Sequence, residues 1–315
     1  MQLGRQSTAE AFQQSDALYG KVLAIDPRYV PAWDGLARNF LVETGQGLLS
    51  NKEGFAQASE AAMKALAIDP DYAPADARLG WIAMFSDNDL AGAAQDFERA
   101  LALDPADVGV LGNSAGLLAS LGRLDEALAL EEALVRRDPV NVTALFNLGL
   151  HQRWAGRFDG AIASFRTILS LSPGNGGAHF NLGVALLLKG DAAGALAEIE
   201  RETSEDYRMI GLPMAYHALG RKADSDQALT ALIDKYEKES PVNIAYVYAF
   251  RGESDKAFEW LDKTIEYQDP GIGEIVPENL FANIHSDPRW LPFLRKIGKA
   301  PEQLAKIEFK VPPPQ

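Results

Sequence analysis

Three asparagines, Asn113, Asn147 and Asn181, recur at one fixed interval along the chain. A carboxamide carries a donor and an acceptor together, the pair needed to hold a peptide bond whatever side chain flanks it. Each lies within an apolar-periodic run, where Asn is roughly a few tenths of a kcal/mol or more worse than Ala, so an exposed Asn there calls for a reason. Two reasons compete: recognition of a backbone, or duplication of a repeat that already carried Asn. Arg38, Arg78 and Arg153 are the cations on comparable runs, and could hold acidic side chains or a carboxylate. Catalytic chemistry finds no such support. The histidines His151, His179, His217 and His285 never stand three or four apart, there is no HExxH or glycine-rich phosphate loop, and there is no cysteine. Acidic residues such as Asp125-Glu126 and Asp191 sit at helix starts, where they cap N-termini. Gly174-Asn175-Gly176-Gly177 follows Pro173 in a turn, which accounts for it without a phosphate. The chain is therefore expected to be non-catalytic, with no metal and no cofactor.

Positioning side chains at a fixed interval requires identical elements. Residues 142–175 form the clearest unit: two apolar-periodic runs joined by Ala155-Gly156-Arg157 and closed by Ser172-Pro173, which reads as a helical hairpin. Asp-Pro or Ser-Pro closes successive units at Pro27, Pro70, Pro105, Pro139 and Pro173; the first interval is the longest and the rest are nearly equal. Such a ruler means stacking units. Ala93, Ala127, Ala161 and Ala195 recur where paired helices must cross closely, and Gly122, Gly156, Gly190, Gly220 and Gly252 recur at helix ends that favour left-handed backbone.

The pattern resembles the tetratricopeptide repeat, whose framework appears as Leu148-Gly149 with Ala161, Phe165 and Pro173, as Leu79-Gly80 with Ala93, Phe97, Ala100 and Pro105, and as Trp33, Leu36 and Phe40. The resemblance implies an all-α, right-handed superhelical solenoid of antiparallel helix pairs. It also implies that first helices line a concave face. The asparagines then resemble the ladder of superhelical members that bind extended peptides, with Arg38, Arg78 and Arg153 as groove cations. Trp81, Phe85, Phe146, Leu150, Trp154, Phe180 and Val184 are the apolar groove candidates, with Met84 and Leu187 beside them; about half are expected to be buried between repeats. Gly112, Phe146 and Phe180 stand where carboxylate-clamp members carry lysine, which argues against that mode. His179 falls at a framework position and reads as a satisfied core histidine.

The array is expected to run over residues 1–205, with a truncated first unit whose second helix spans Thr8 to Ile25 and an insertion near 43–51. Degenerate pairs follow over 206–270, where Pro213 should bend or restart a helix. Capping helices follow over 271–307, using Ser286 or Asp287, Pro288 and a stripe of Trp290, Leu291, Leu294 and Ile297. A flexible tail occupies 308–315. Leu3-Gly4-Arg5 and the closing Leu280-Phe281, Asp287-Pro288-Arg289-Trp290 and Phe293-Leu294 resemble the ends of arrays attached to bacterial winged-helix regulators, nucleotide cyclases and kinases.

A protein or peptide is the expected partner. The formal charge of −14 argues against nucleic acid, whose binding rests on Lys and Arg neutralising phosphates. No apolar run reaches the length of a membrane span and no signal peptide is read at the start. The chain as it stands is expected in the cytoplasm, or in the periplasm if it is cut from a membrane-anchored regulator. Two alternative roles are the sensory module of a larger regulator and a homo-oligomer assembly module.

Overall fold

A computed structural model of the chain describes residues 9–45 and 48–312. It is all-α: the described residues form helices and turns and no strand. A lone helix, α1 (Ala9–Ile25), precedes the pairs α2 (Val30–Gly45) and α3 (Asn51–Ile68), α4 (Ala73–Phe85) and α5 (Leu90–Leu103), and α6 (Val108–Ser120) and α7 (Leu124–Arg137). Then come α8 (Val142–Trp154) and α9 (Phe158–Leu171), α10 (Ala178–Lys189) and α11 (Ala192–Ile199), α12 (Glu205–Ala218) and α13 (Lys222–Tyr236), and α14 (Pro241–Phe250) and α15 (Ser254–Glu266). Two 3-10 turns, Pro270–Glu274 and Asn279–Ile284, lead to α16 (Trp290–Lys296) and α17 (Pro301–Leu304). The chain forms two units that part within α6: one runs up to Leu117 and takes back the chain from Ile307, the other is Leu118–Lys306.

The repeated Asp-Pro has a local cause. The aspartate bends the chain by accepting from the amide two residues on, as Asp26 does from Arg28 (3.0 Å), Asp69 from Asp71 (3.2 Å) and Asp104 from Ala106 (3.2 Å). This is the Asx turn, and the intervening proline cannot continue a helix. Side chains then cap the next helices: Asp89 accepts from Gly92, Asn141 from Ala144 and Asp191 from Gly194, at 2.9, 3.1 and 2.9 Å. At the turn inside the α8–α9 hairpin, Gly156 has a φ of 72°, a conformation that a side chain would strain.

Three hairpins, α4–α5, α8–α9 and α10–α11, each close on one large residue over one glycine. A Cβ on Gly149 would lie 2.9 Å from the Phe165 ring, one on Gly80 2.7 Å from Phe97, and one on Gly183 2.6 Å from Ile199. Phe97, Phe165 and Ile199 are fully buried. Gly149→Ala is therefore expected to force the ring aside and to lower stability by about 1–3 kcal/mol in denaturant titration, whereas Gly174→Ala, with open space around it, should have little effect.

Several expectations are revised. α12 runs unbroken through Pro213, so the helix is not restarted there; Ile210, Met214 and Ala215 around it are buried in the second unit's core and hold the helix in place. In the cap, Asp287 accepts from the Arg289 amide (2.9 Å), yet α16 starts only at Trp290 with Arg289 at its N-cap, so neither Ser286 nor Asp287 caps it and Pro288 lies in the turn before it; Trp290, Leu294 and Ile297 are buried, but Leu291 is exposed and Phe293 is buried instead. The chain beyond 308 is not free at its start. Phe309 is buried, and the Lys310 amide donates to Glu98 Oε1 at 2.8 Å. Leu3-Gly4-Arg5, Thr8, the middle of the 43–51 insertion and the last three residues of the tail lie outside the described residues.

Candidate functional site

The first-helix residues meet different fates in the two units. In the first, Arg38 on α2 is exposed, and Arg78 on α4 is spoken for by Asp34, 3.3 Å away. Trp81 and Phe85 stand one turn apart on α4 and remain half-exposed, with ring centroids 4.1 Å apart at 40°, while Met84 between them is buried. Asn113 on α6 is half-buried.

In the second unit the corresponding face is already filled. Arg153 at the end of α8 is 3% exposed, and its Nη1 and Nη2 donate to Glu278 Oε1 and Oε2 at 2.6 and 2.8 Å. Trp154 Nε1 donates to the same carboxylate at 3.1 Å, and Asn279 Nδ2 donates to the Trp154 carbonyl at 3.0 Å. The chain's own residues 270–284 thus occupy the place expected for a ligand, packing on α14 through Phe281, whose ring lies 6.1 Å from that of Tyr246. Burial alone would push the Glu278 carboxyl up, but the Arg153 charge, together with bonds from Arg153, the Leu280 amide and Trp154, brings it below the ordinary range. Glu274, earlier in the same segment, has no such cradle. Burial and the Glu278 charge push it up to about 7, against the pull of Arg153.

The asparagine ladder is likewise not a free row. Asn181 is buried, and its Nδ2 donates to the Gly177 carbonyl one turn back at 2.9 Å, satisfying its own helix rather than a visitor. Phe180 beside it is buried, lies tilted against Tyr207 with ring centroids 5.2 Å apart, and gives its amide to Glu202 at 3.0 Å. Val184 and Leu187 are buried, whereas Phe146 and Leu150 keep partial exposure. Arg153, Trp154, Asn181, Phe180 and Val184, expected to face a ligand, are therefore closed to one in this structure. The cause is that the returning segment covers the end of α8 through Glu278 and Asn279, while α11, α12 and their turn pack on α10 through Ile199, Glu202 and Tyr207. His179 is buried with Nδ1 2.7 Å from Glu198 Oε2, as a satisfied core histidine should be.

Asn147 has a neighbour that the repeat pattern could have revealed. Glu131 on α7 stands midway in sequence between Phe97 and Phe165, one repeat from each, in the slot that closes the hairpins on either side of it. It is fully buried; burial pushes its carboxyl up to about 8, and the Asn147 carboxamide offsets this only in part. Two further buried groups carry no signal in the repeat pattern. His151 is pushed down to about 4 and Lys299 down to about 8, both by burial. Among the described residues no cluster of three or more His, Asp or Glu side chains converges as metal ligands would, and no helix is long and apolar enough to cross a membrane.

Comparison with known proteins bears on the scaffold. The family model described as tetratricopeptide repeat matches residues 113–176 and 146–206. Among solved structures the chain is similar to PilW, a widely conserved type IV pilus biogenesis factor, at 20% identity and a TM-score of 0.54, over 68% of this chain and 96% of that one. It is similar to human IFIT1, solved as a dimer with PPP-AAAA, at 18% identity and a TM-score of 0.59, over 82% of this chain and 69% of that one. A third is the APC/C hetero-tetramer Cut9-Hcn1, at 16% and 0.59, over 88% of this chain and 56% of that one. At these identities the likeness is one of fold. No curated protein matches the chain in sequence.

Proposed function

We propose, from the premise that this chain is a tetratricopeptide repeat protein, that it is a non-catalytic interaction scaffold binding a segment of a partner protein on the first helices of its first unit. Arg38, Trp81, Phe85 and Asn113 are the contact residues. The observation that carries this reading is the self-occupied face of the second unit. There, first helices already hold an irregular stretch of chain by an arginine–carboxylate fork, an indole donor and buried Leu280 and Phe281. The first unit offers the same residue types, a cation and large aromatics, with Trp81 and Phe85 still half-exposed. A segment with one carboxylate for Arg38 among large apolar side chains is the matching partner, and the net charge of −14 disfavours strongly acidic segments and polyanions alike.

Affinity here comes from the aromatics, since a neutral hydrogen bond such as one to Asn113 contributes only about 0.5–1.5 kcal/mol. Displayed random peptides panned on the intact chain should yield clones that pair Asp or Glu with Leu or Phe. Trp81→Ala with Phe85→Ala should weaken their binding by more than about tenfold, as loss of aromatic anchors does, and Asn113→Ala only by a few-fold. Equal binding by the folded double variant would place the ligand elsewhere.

A further inference from the structure

We infer that the first unit holds a binding site for an extended peptide against α5, filled in this structure by the chain's own residues 307–312, and that a partner segment of the same alternating chemistry, aliphatic-x-Phe-x-aliphatic, binds there by displacing them. These residues follow α17, form neither helix nor strand, and belong with the first unit. Their burial alternates. Phe309 is 2% exposed, Ile307 and Val311 two residues to either side are half-buried, and Glu308, Lys310 and Pro312 are exposed. An extended chain points successive side chains to opposite faces, so Ile307, Phe309 and Val311 make one face that lies on the unit, while the charged residues between them face water.

Two observations set this arrangement apart from ordinary core packing. The Lys310 amide donates to Glu98 Oε1 on α5 at 2.8 Å, a main-chain bond that any residue but proline can make. The site therefore holds backbone at one position and reads side chains at the alternate ones, the division by which peptide-binding surfaces combine affinity with selectivity. Within 307–312, moreover, full burial falls on Phe309, so the segment is held by one anchor, and a competitor has one pocket to match. Val311 precedes Pro312, a junction that keeps Val311 extended and lowers the ordering cost of binding. The partner is thus an unfolded stretch with a phenylalanine two residues after one aliphatic side chain and two before another. Glu98 lies on a second helix, so this site goes beyond the one proposed on the first helices, and its test alters none of Arg38, Trp81, Phe85 and Asn113.

A tethered segment competes at an effective concentration of about millimolar, so a free copy of it should bind the parent chain poorly and bind well once the tethered copy is weakened. A fluorescein-labelled peptide of residues 305–312, titrated by anisotropy into the full chain, reads this. Phe309→Ala in the protein should raise the peptide's affinity by more than about tenfold, as removal of a competing aromatic anchor does. Lys310→Pro, which deletes the amide donor and keeps the backbone extended, should raise it a few-fold. Adding Glu98→Ala to the Phe309→Ala protein should weaken the peptide a few-fold again, and a peptide that itself carries Phe309→Ala should bind none of these proteins. Circular dichroism and urea unfolding report whether each protein is folded; where Phe309→Ala is not, Lys310→Pro carries the comparison. Equal affinity for the parent and the folded variants, no binding to the folded variants, or equal binding of the Phe309→Ala peptide would each overturn the site.

Discussion

Stability to denaturant should fall by about 1–2 kcal/mol between pH 6.5 and pH 8, and Glu131→Gln should remove most of that fall. The carboxyl of Glu131 is held up to about 8 in the folded chain against 4.5 as a free side chain. The folded state therefore keeps a proton that the unfolded state has given up. This contribution is fully present below 4.5 and drains away as pH rises through 8, for a total of roughly 5 kcal/mol at about 1.4 kcal/mol per unit. Other buried groups bracket the window. His151, lowered to about 4 from 6.5, contributes the opposite slope, with stability rising from pH 4 to 6.5 and constant above. Lys299, lowered to about 8 from 10.5, raises stability only above pH 8. From 6.5 to 8 the slope belongs to Glu131, with Glu274 adding up to about 7. The curve should thus have a shallow minimum near pH 8. Glu131→Met, which returns an apolar side chain to the slot of Phe97 and Phe165, should both flatten that stretch and raise stability at pH 8 by about 2 kcal/mol or more. Urea titrations at half-unit steps would show it; an unchanged slope in both variants would mean that Glu131 is solvated in the folded chain.

Arg153→Ala should cost about 3–5 kcal/mol, whereas Arg153→Met combined with Glu278→Met should return close to the parent stability. The asymmetry arises because the fork is buried. Removing one partner leaves Glu278 charged, or forced to take up a proton, in a place that water does not reach, whereas replacing both removes the desolvation cost along with the attraction. Trp154 and the Leu280 amide would keep two bonds to an orphaned Glu278, which softens the loss without cancelling it. A four-corner cycle by urea unfolding measures the coupling, and a coupling below about 0.5 kcal/mol would show that the pair behaves as an exposed one does. In the Arg153→Ala protein, amide exchange in 270–284 should also become faster, since the fork that ties this segment to α8 is gone.

The residues that build each hairpin were legible because their contacts are local. Gly149 meets Phe165 on the very next helix, Asp26 turns the chain onto the Arg28 amide, and Gly156 sits at a left-handed helix end. Repetition multiplied that signal, so a motif weak in one unit became firm over several. The same ruler exposes Glu131 as the residue out of frame, and reading each slot for its exception would have found it. The unbroken course of α12 through Pro213 was not legible, because propensity at one residue was outweighed by burial of its neighbours in the core.

What lay on the first helices could not be read in the same way. Asn113, Asn147 and Asn181 share a register, yet one is half-buried in the first unit, one faces a buried carboxyl and one bonds its own helix. Position in a repeat fixes which face a side chain occupies, but not what covers that face. Arg153 and Glu278 lie far apart in sequence, outside any period of the chain, and their pairing appears only once the segment after α15 has turned back onto α8 and α14. The hairpin, its length and its stacking can be read from the residues alone, since these rest on contacts within one or two repeats. Which part of the first-helix face of the second unit is covered is set by the folded chain, because that depends on a non-repeating segment whose place is fixed by burial and one long-range ion pair.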